Sequence, residues 1–189
     1  MRIVAGKLKS MTLTQSVSKT TRPTSDSVRE SIFNILANRI DLDGKNVVDL
    51  YAGTGALGLE SVSRGATSAT FIETDKQACD SIKENIEKAT KQLRPESAEL
   101  KIIRTPVLTF VQDAKNSNSF DLVLADPPYI DDVEVEVISV VASGGYLVYE
   151  TTAKKLEVCE QEFRKHKRTE EVIAARKMGN AGVVIVRAL

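Results

Sequence analysis

The sequence predicts a doubly wound α/β sheet with a terminal antiparallel hairpin and a small N-terminal extension, and three observations predict it. Strand-like and helix-like segments alternate from Asn46 to Arg164, the order that builds a parallel sheet covered by helices. The first strand-like run ends in the glycine-rich turn Gly53-Thr54-Gly55-Ala56-Leu57-Gly58, and the fourth ends in Asp126-Pro127-Pro128-Tyr129. Open α/β sheets bind ligands at such carboxyl ends. Two β-rich runs on either side of Met178-Gly179-Asn180 then close the chain as a hairpin.

Taken in order, Arg2-Ile3-Val4 and Met11-Thr12-Leu13 alternate around Ala5-Gly6-Lys7, which predicts a small hairpin or extended arm. Arg22-Pro23-Thr24 breaks the chain. From Ser25 to Arg39, Val28, Ile32, Phe33, Ile35 and Leu36 fall on one helical face, with Ser27 and Glu30 spaced as a capping box. Gly44 marks the boundary before the sheet, so residues 1–40 form an arm and helix ahead of a main domain over 41–189. Strands are predicted at Asn46 to Tyr51, Ser68 to Glu73, Glu99 to Arg104 and Phe120 to Ala125, with helices at Ala56 to Ser63, Lys76 to Lys91 and Val107 to Asp113. The run from Phe120 is mostly apolar, as suits a strand buried between two helical layers. The β-branched residues from Asp131 to Val141 suit a helix or a strand; a short helix is read, because Gly144 and Gly145 then turn the chain into a strand from Tyr146 to Glu150. A helix from Lys154 to Arg164 precedes the closing strands, Thr169 to Ala175 and Val183 to Ala188.

The 189 residues, 42% hydrophobic and 28% charged, match one soluble globular domain. No apolar run approaches the roughly 20 residues that span a bilayer, and the amino terminus lacks the continuous apolar stretch of a signal peptide. No membrane association and a cytoplasmic location are expected. Cys79 and Cys159 lie far apart and His166 is the only histidine, so neither a disulfide framework nor a metal site is expected. A net charge of zero hides an asymmetry: residues 1–24 carry Arg2, Lys7, Lys9, Lys19 and Arg22 and no acid. Such an arm is either a solvated terminus or a phosphate-binding element.

The glycine turn follows a strand and precedes a helix, and Glu73 closes the next strand about 20 residues on, where a ribose-binding acid belongs. Those features fit NAD as well as S-adenosylmethionine. Asp49 discriminates, because a carboxylate at the start of the turn repels a pyrophosphate but suits the ammonium of a methionine moiety. Gly53 and Gly55 then allow close backbone approach, Glu73 can accept both ribose hydroxyls and Asp75 is placed to border the adenine, with Ala52, Thr54 and Thr74 beside them also expected at the cofactor. The plain alternative is a tight strand-to-helix turn without a ligand. Tyr51, Phe71 and Phe120 read as core or strand residues.

At the fourth strand's end the two prolines make a stiff, extended segment with free carbonyls. An exocyclic amine on a nucleobase is a weak nucleophile, since its lone pair is delocalised into the ring. Asp126 accepting one N–H and the Pro127 carbonyl the other would aim that lone pair at a sulfonium methyl, with Pro128 stiffening the segment and Tyr129 stacking on the base. A turn with an aromatic plug is the structural alternative. The tetrapeptide alone does not choose among adenine N6, guanine N2 or another planar amine, and a duplex base would have to be flipped out to reach it.

The string Arg22-Pro23-Thr24-Ser25-Asp26-Ser27-Val28-Arg29-Glu30-Ser31-Ile32-Phe33-Asn34, with Arg2 to Lys7, Asp49 to Glu60, Ser63-Arg64-Gly65-Ala66 and the D-P-P-Y segment, closely resembles the RsmD family of bacterial 16S rRNA guanine-N2 methyltransferases. The resemblance covers nearly the whole chain. It implies a class I, Rossmann-like methyltransferase fold, S-adenosylmethionine as donor, and one guanine of small-subunit rRNA as target, within an assembling subunit; a monomer is expected. It also implies that Arg22 and Thr24 line the active-site edge, that Arg2, Lys7 and Lys9 meet phosphates, and that Asn34 either contacts substrate or packs its helix, while Arg29 and Glu30 brace that helix. Three departures stand out, one of them the shortness of the segment between Tyr129 and Gly144. Thr105-Pro106 occupies the place where many relatives carry an acid for the adenine amine, which leaves that contact to a backbone carbonyl or a neighbour such as Val107, and Lys177-Met178-Gly179 lacks an aromatic before the glycine. The rival readings are an adenine-N6 DNA or RNA methyltransferase, for whose recognition region the chain has little room, a catalytically silent RNA-binding assembly factor, and an NAD-dependent enzyme.

Overall fold

The computed structural model describes residues 1–15, 25–93, 98–128 and 133–189. Helix α1 (Asp26–Leu36) leads into strand β1 (Asn46–Leu50), after which α2 (Ala56–Ser63), β2 (Ser68–Glu73), α3 (Lys76–Gln92), β3 (Glu99–Arg104), α4 (Val107–Gln112) and β4 (Phe120–Ala125) alternate. A 3-10 turn, Val135–Val140, runs into β5 (Val141–Thr152), followed by α5 (Leu156–Lys165), β6 (Thr169–Met178) and β7 (Ala181–Ala188). The sheet order is β3-β2-β1-β4-β5-β7-β6, with β1 to β5 parallel and β7 antiparallel to both neighbours. Strand order reverses between β1 and β4, which opens a crevice beyond their carboxyl ends.

Adjacent strand residues point to opposite faces, and both faces are covered. Val47, Leu122 and Leu124 pack with Leu59 and Val62 of α2, Ile82 of α3, Ile32 and Phe33 of α1, and Ile3, Leu8 and Met11 of the arm. Val48, Val123 and Ala125 face Val107 and Phe110 of α4, Ile138 of the 3-10 turn and Phe163 of α5. The central strands are therefore almost wholly buried, which is why their apolar runs were readable.

The arm forms the expected hairpin. Arg2 bridges Thr12, the Ile3 N–H donates to the Met11 carbonyl at 3.0 Å, and Ser10 N–H to the Ile3 carbonyl at 2.9 Å. Its seat is α2. The fully buried carboxylate of Glu60 accepts from the Val4 N–H at 2.7 Å, the Ala5 N–H at 3.0 Å and Arg64 Nε at 2.8 Å, and lies 3.6 Å from Arg29 Nε. Arg29, also fully buried, reaches Asp26 at 2.8 Å and the Arg2 carbonyl, so it braces α1 against the arm as expected. Gly6, at φ 80°, lies so close that an added Cβ would stand 1.9 Å from the Ser63 carbonyl oxygen.

Some boundaries differ from expectation. Helix α1 starts at Asp26, which makes Ser25 the cap; its hydroxyl accepts from Val28 N–H at 3.3 Å, and Ser27 lies inside the first turn. Strand β1 stops at Leu50 because Tyr51 adopts φ 60°. Strand β5 begins at Val141, since Gly144 and Gly145 bend a continuous strand instead of preceding one. Phe120 pairs Val141 and Leu122 pairs Tyr146, a register jump that absorbs the extra residues. Strand β6 extends to Met178 and carries two register shifts against β7. Among the described residues, no helix is long and apolar enough to cross a membrane.

Candidate functional site

Asp49 sits on β1 with 2% of its surface exposed, and its Oδ2 accepts the Gly58 N–H at 2.8 Å, tying the strand to the first turn of α2. Burial pushes its carboxyl well above the usual range; the Gly58 N–H opposes this, and the charges of Asp126 and Glu73 add to it. The glycine turn needs its glycines for different reasons. Gly53 and Gly55 hold φ 55° and 74°, and a Cβ at Gly58 would stand 2.5 Å from the Phe71 ring. Gly55 is the N-cap of α2, which therefore starts without a side-chain cap. Ala52 N–H donates to the Ile72 carbonyl at 3.0 Å, so the turn is pinned to β2.

Glu73 faces this turn. Its Oε2 accepts the Gly53 N–H at 2.9 Å, while Oε1 accepts the N–H groups of Thr74 at 2.7 Å and Asp75 at 2.9 Å. These bonds fix the carboxylate's orientation and leave each oxygen further acceptor capacity for hydroxyl donors. The Asp75 carboxylate caps α3 by accepting from Ala78 N–H at 2.8 Å, and it is not among the residues lining the hollow beside Glu73.

That hollow, about 260 Å³, is lined by Tyr51 after β1, Ile72, Glu73 and Thr74 at the end of β2, Pro106, Val107 and Leu108 at the start of α4, and Pro128 and Glu134 after β4. It offers apolar walls with a carboxylate toward β2, which suits the nucleoside part of S-adenosylmethionine. Val107, expected as the neighbour of an adenine, is in the wall, and the Thr105 N–H is used on the Glu73 carbonyl at 3.1 Å. Asp126 follows β4 half-buried, with Pro127 buried and Pro128 exposed at the hollow's rim. The structure thus brings Asp49, the glycine turn, Glu73, Thr74 and the start of the D-P-P-Y segment to one end of the sheet. Tyr129, Arg22 and Thr24 lie outside the described residues.

The remaining predicted residues sit elsewhere. Arg2, Lys7 and Lys9 are exposed on the arm, with Arg2 Nε 3.6 Å from Asp26, and Asn34 is exposed on α1. Arg2 and Lys9 border a second recess, of about 310 Å³, together with Asp26, Ser27 and Glu30. Three residues were not anticipated. Tyr51, expected in a strand, turns out of it and lines the hollow. Glu134 lines it from the far side, its N–H donating to the Tyr149 hydroxyl at 3.2 Å; burial is the main reason that hydroxyl is pushed up to about 12. Asn85, fully buried on α3, accepts from Thr14 N–H at 2.7 Å and donates to the carbonyls of Thr14 and Thr54, both at 3.0 Å, joining the arm to the glycine turn. Its signal was a polar residue on the apolar stripe between Ile82 and Ala89.

Known proteins are similar to this chain in architecture and in sequence. Residues 1–187 match the family described as Conserved hypothetical protein 95. Ribosomal RNA small subunit methyltransferase D of Haemophilus influenzae is 33% identical over 147 residues, 78% of this chain and 73% of that protein. The protein of the same name from Escherichia coli strain K12 is 33% identical over 150 residues, 79% of this chain and 71% of that protein. Among solved structures, Escherichia coli yhhF superposes with a TM-score of 0.77 at 23% identity, covering 100% of this chain and 97% of its own. Precorrin-6Y C5,15-methyltransferase from Geobacter metallireducens GS-15 superposes with a TM-score of 0.64 at 18% identity, covering 92% of each chain. The fold is therefore the Rossmann-like fold of the methyltransferases. With a family match that runs from the arm through the last strand, the chain belongs to the Conserved hypothetical protein 95 family, the RsmD family.

Proposed function

We propose that the protein methylates the exocyclic N2 of a guanine in small-subunit rRNA, using S-adenosylmethionine. The observation that carries the reading is the placement of Asp126 at the carboxyl end of β4, beside the hollow that Glu73 and Pro128 line. The relatives named as rRNA methyltransferases support the substrate class. Bound with its adenosine in the hollow, the donor supplies a methyl carbon on a sulfonium sulfur, open to in-line displacement.

The chain's own residues position and stabilise. Asp49 offers a carboxyl to the donor's ammonium, and a cation beside it favours the ionised form that burial opposes. Glu73 receives the ribose hydroxyls. Asp126 accepts one N–H of the guanine amine and the Pro127 carbonyl the other, which orients the nitrogen lone pair and stabilises the positive charge developing there. As the nitrogen–methyl bond forms and the sulfur–methyl bond breaks, leaving a neutral thioether, the nitrogen becomes cationic and far more acidic than the parent amine, so its proton leaves afterwards, to Asp126 or water. Tyr129 stacks on the target base. Arg2, Lys7 and Lys9 on the arm, with Arg22, Thr24 and Asn34, form the RNA-facing side, and a monomer acting on an assembling subunit in the cytoplasm completes the proposal.

Labelled S-adenosylmethionine incubated with unmethylated small subunits, naked rRNA and DNA, followed by nucleoside identification, tests it. Label in N2-methylguanine from the rRNA is expected, and Asp126→Ala should abolish transfer while largely sparing donor affinity. Label in adenine or DNA would overturn the substrate reading, and cofactor binding without transfer to any substrate would favour a silent assembly factor.

A further inference from the structure

We propose that Glu134 is the residue that recognises the exocyclic amine of the donor's adenine, from the β4–β5 connection instead of the turn after β3. The inference rests on reading the hollow as the S-adenosylmethionine site. Thr105-Pro106 places no acid between β3 and α4; Pro106 has no N–H, and its carbonyl already accepts from Phe110 N–H at 3.1 Å. Among the described residues lining the hollow, the carboxylates are Glu73 and Glu134. Glu73 is bonded to three N–H groups at the β2 end.

Glu134 is in the opposite condition. Its backbone is anchored on the Tyr149 hydroxyl of β5, yet its Oε2 is shielded from solvent and has no hydrogen-bond partner among the described residues. Burial, then the charge of Glu136, pushes its carboxyl up. A carboxylate oxygen held from water without a donor is costly, and a donor brought by a ligand removes that cost. The terminal carboxylate torsion is soft, so turning an oxygen toward the hollow needs no backbone change. Ile72, Val107, Leu108 and Pro128 supply apolar walls for a flat purine, whose amine is the donor the acid lacks. Glu134 follows Asp126 by eight positions, so one connection would read both the donor's amine and the target's.

The Tyr51 hydroxyl, also buried without a partner among the described residues and also in the wall, is the competing reader. Calorimetric titration of the full chain with S-adenosylhomocysteine and with its 6-desamino analogue separates the possibilities. Wild type should prefer the amine by roughly tenfold to a hundredfold, the worth of one hydrogen bond to a charged acceptor. Glu134→Leu and Glu134→Ala should bind both ligands alike, and Glu134→Gln, which keeps a neutral acceptor oxygen, should retain a smaller preference of roughly twofold to tenfold. An intact preference in Glu134→Leu or Glu134→Ala overturns the assignment, as does its loss in Tyr51→Phe alone. Wild type binding both ligands equally overturns it as well, while leaving the cofactor reading in place. Wild type binding neither ligand overturns the cofactor reading itself.

Discussion

Replacing Glu60 by glutamine keeps the side chain's shape and removes its charge, at a position with no solvent exposure. One oxygen serves Ala5 N–H and Arg64 Nε, and the other serves Val4 N–H and faces Arg29 Nε at 3.6 Å. An amide can satisfy one side only, and its NH2 then confronts donors on the other. Arg29 keeps Asp26 at 2.8 Å, so its charge is not stranded. Breaking a buried ion pair costs about 3–5 kcal/mol, and each hydrogen bond to a charged acceptor about 1.5–3 kcal/mol. These overlap, and Asp26 softens the loss, so about 3–4 kcal/mol is expected. For a chain of this length that lowers Tm by roughly 10 °C. Scanning calorimetry reads the shift, and hydrogen exchange should show Val4 and Ala5 amides losing protection before the sheet does. A Tm within about 2 °C of wild type, with those amides still protected, would refute the view that Glu60 clamps the arm.

Two further outcomes follow from the charged groups. The folded chain holds the Asp49 carboxyl above its unfolded value, so proton binding favours the native state. The resulting stability is complete below the unfolded pKa and declines as pH rises toward the folded one. Asp49→Asn should therefore gain stability relative to wild type as pH rises from 4 to 7, while binding S-adenosylmethionine more weakly; melting curves across pH that differ by a constant offset would contradict this. Replacing Lys7 and Lys9 by alanine should weaken rRNA binding and reduce the slope of log affinity against log salt by about 1 to 2. An unchanged slope would return both lysines to the solvated surface.

Much of the fold was legible because its strands are buried on both faces. Val47 to Leu50 and Leu122 to Ala125 read as unbroken apolar or near-apolar runs, and the structure buries every one of them. The glycine turn was legible because positive φ and close approach leave few alternatives at Gly53, Gly55 and Gly58. What escaped depends on partners remote in sequence. Gly144 and Gly145 look like a turn, and only the pairing of Val141 with Phe120 and of Tyr146 with Leu122 on either side makes them a bend within a strand. Glu134 stands in a β-branched run, and its place over the hollow is set by Tyr149 fifteen positions later. Asn85 is a polar residue on an apolar helix stripe, and its partners, Thr14 and Thr54, lie far away in sequence.

The register shifts in β6 bear on how the molecule behaves at high concentration. Among the described residues strand β6 is one edge of the sheet, and an edge strand offers N–H and C=O groups on which a second chain could add a strand. Two irregularities against β7, with Glu170, Glu171, Arg176 and Lys177 along the strand, break the regular spacing that such addition requires. The other edge, β3, is short and carries Glu99, Lys101 and Arg104. Both rims of the sheet are thereby guarded against aggregation, one by irregular backbone and charge, the other by brevity and charge.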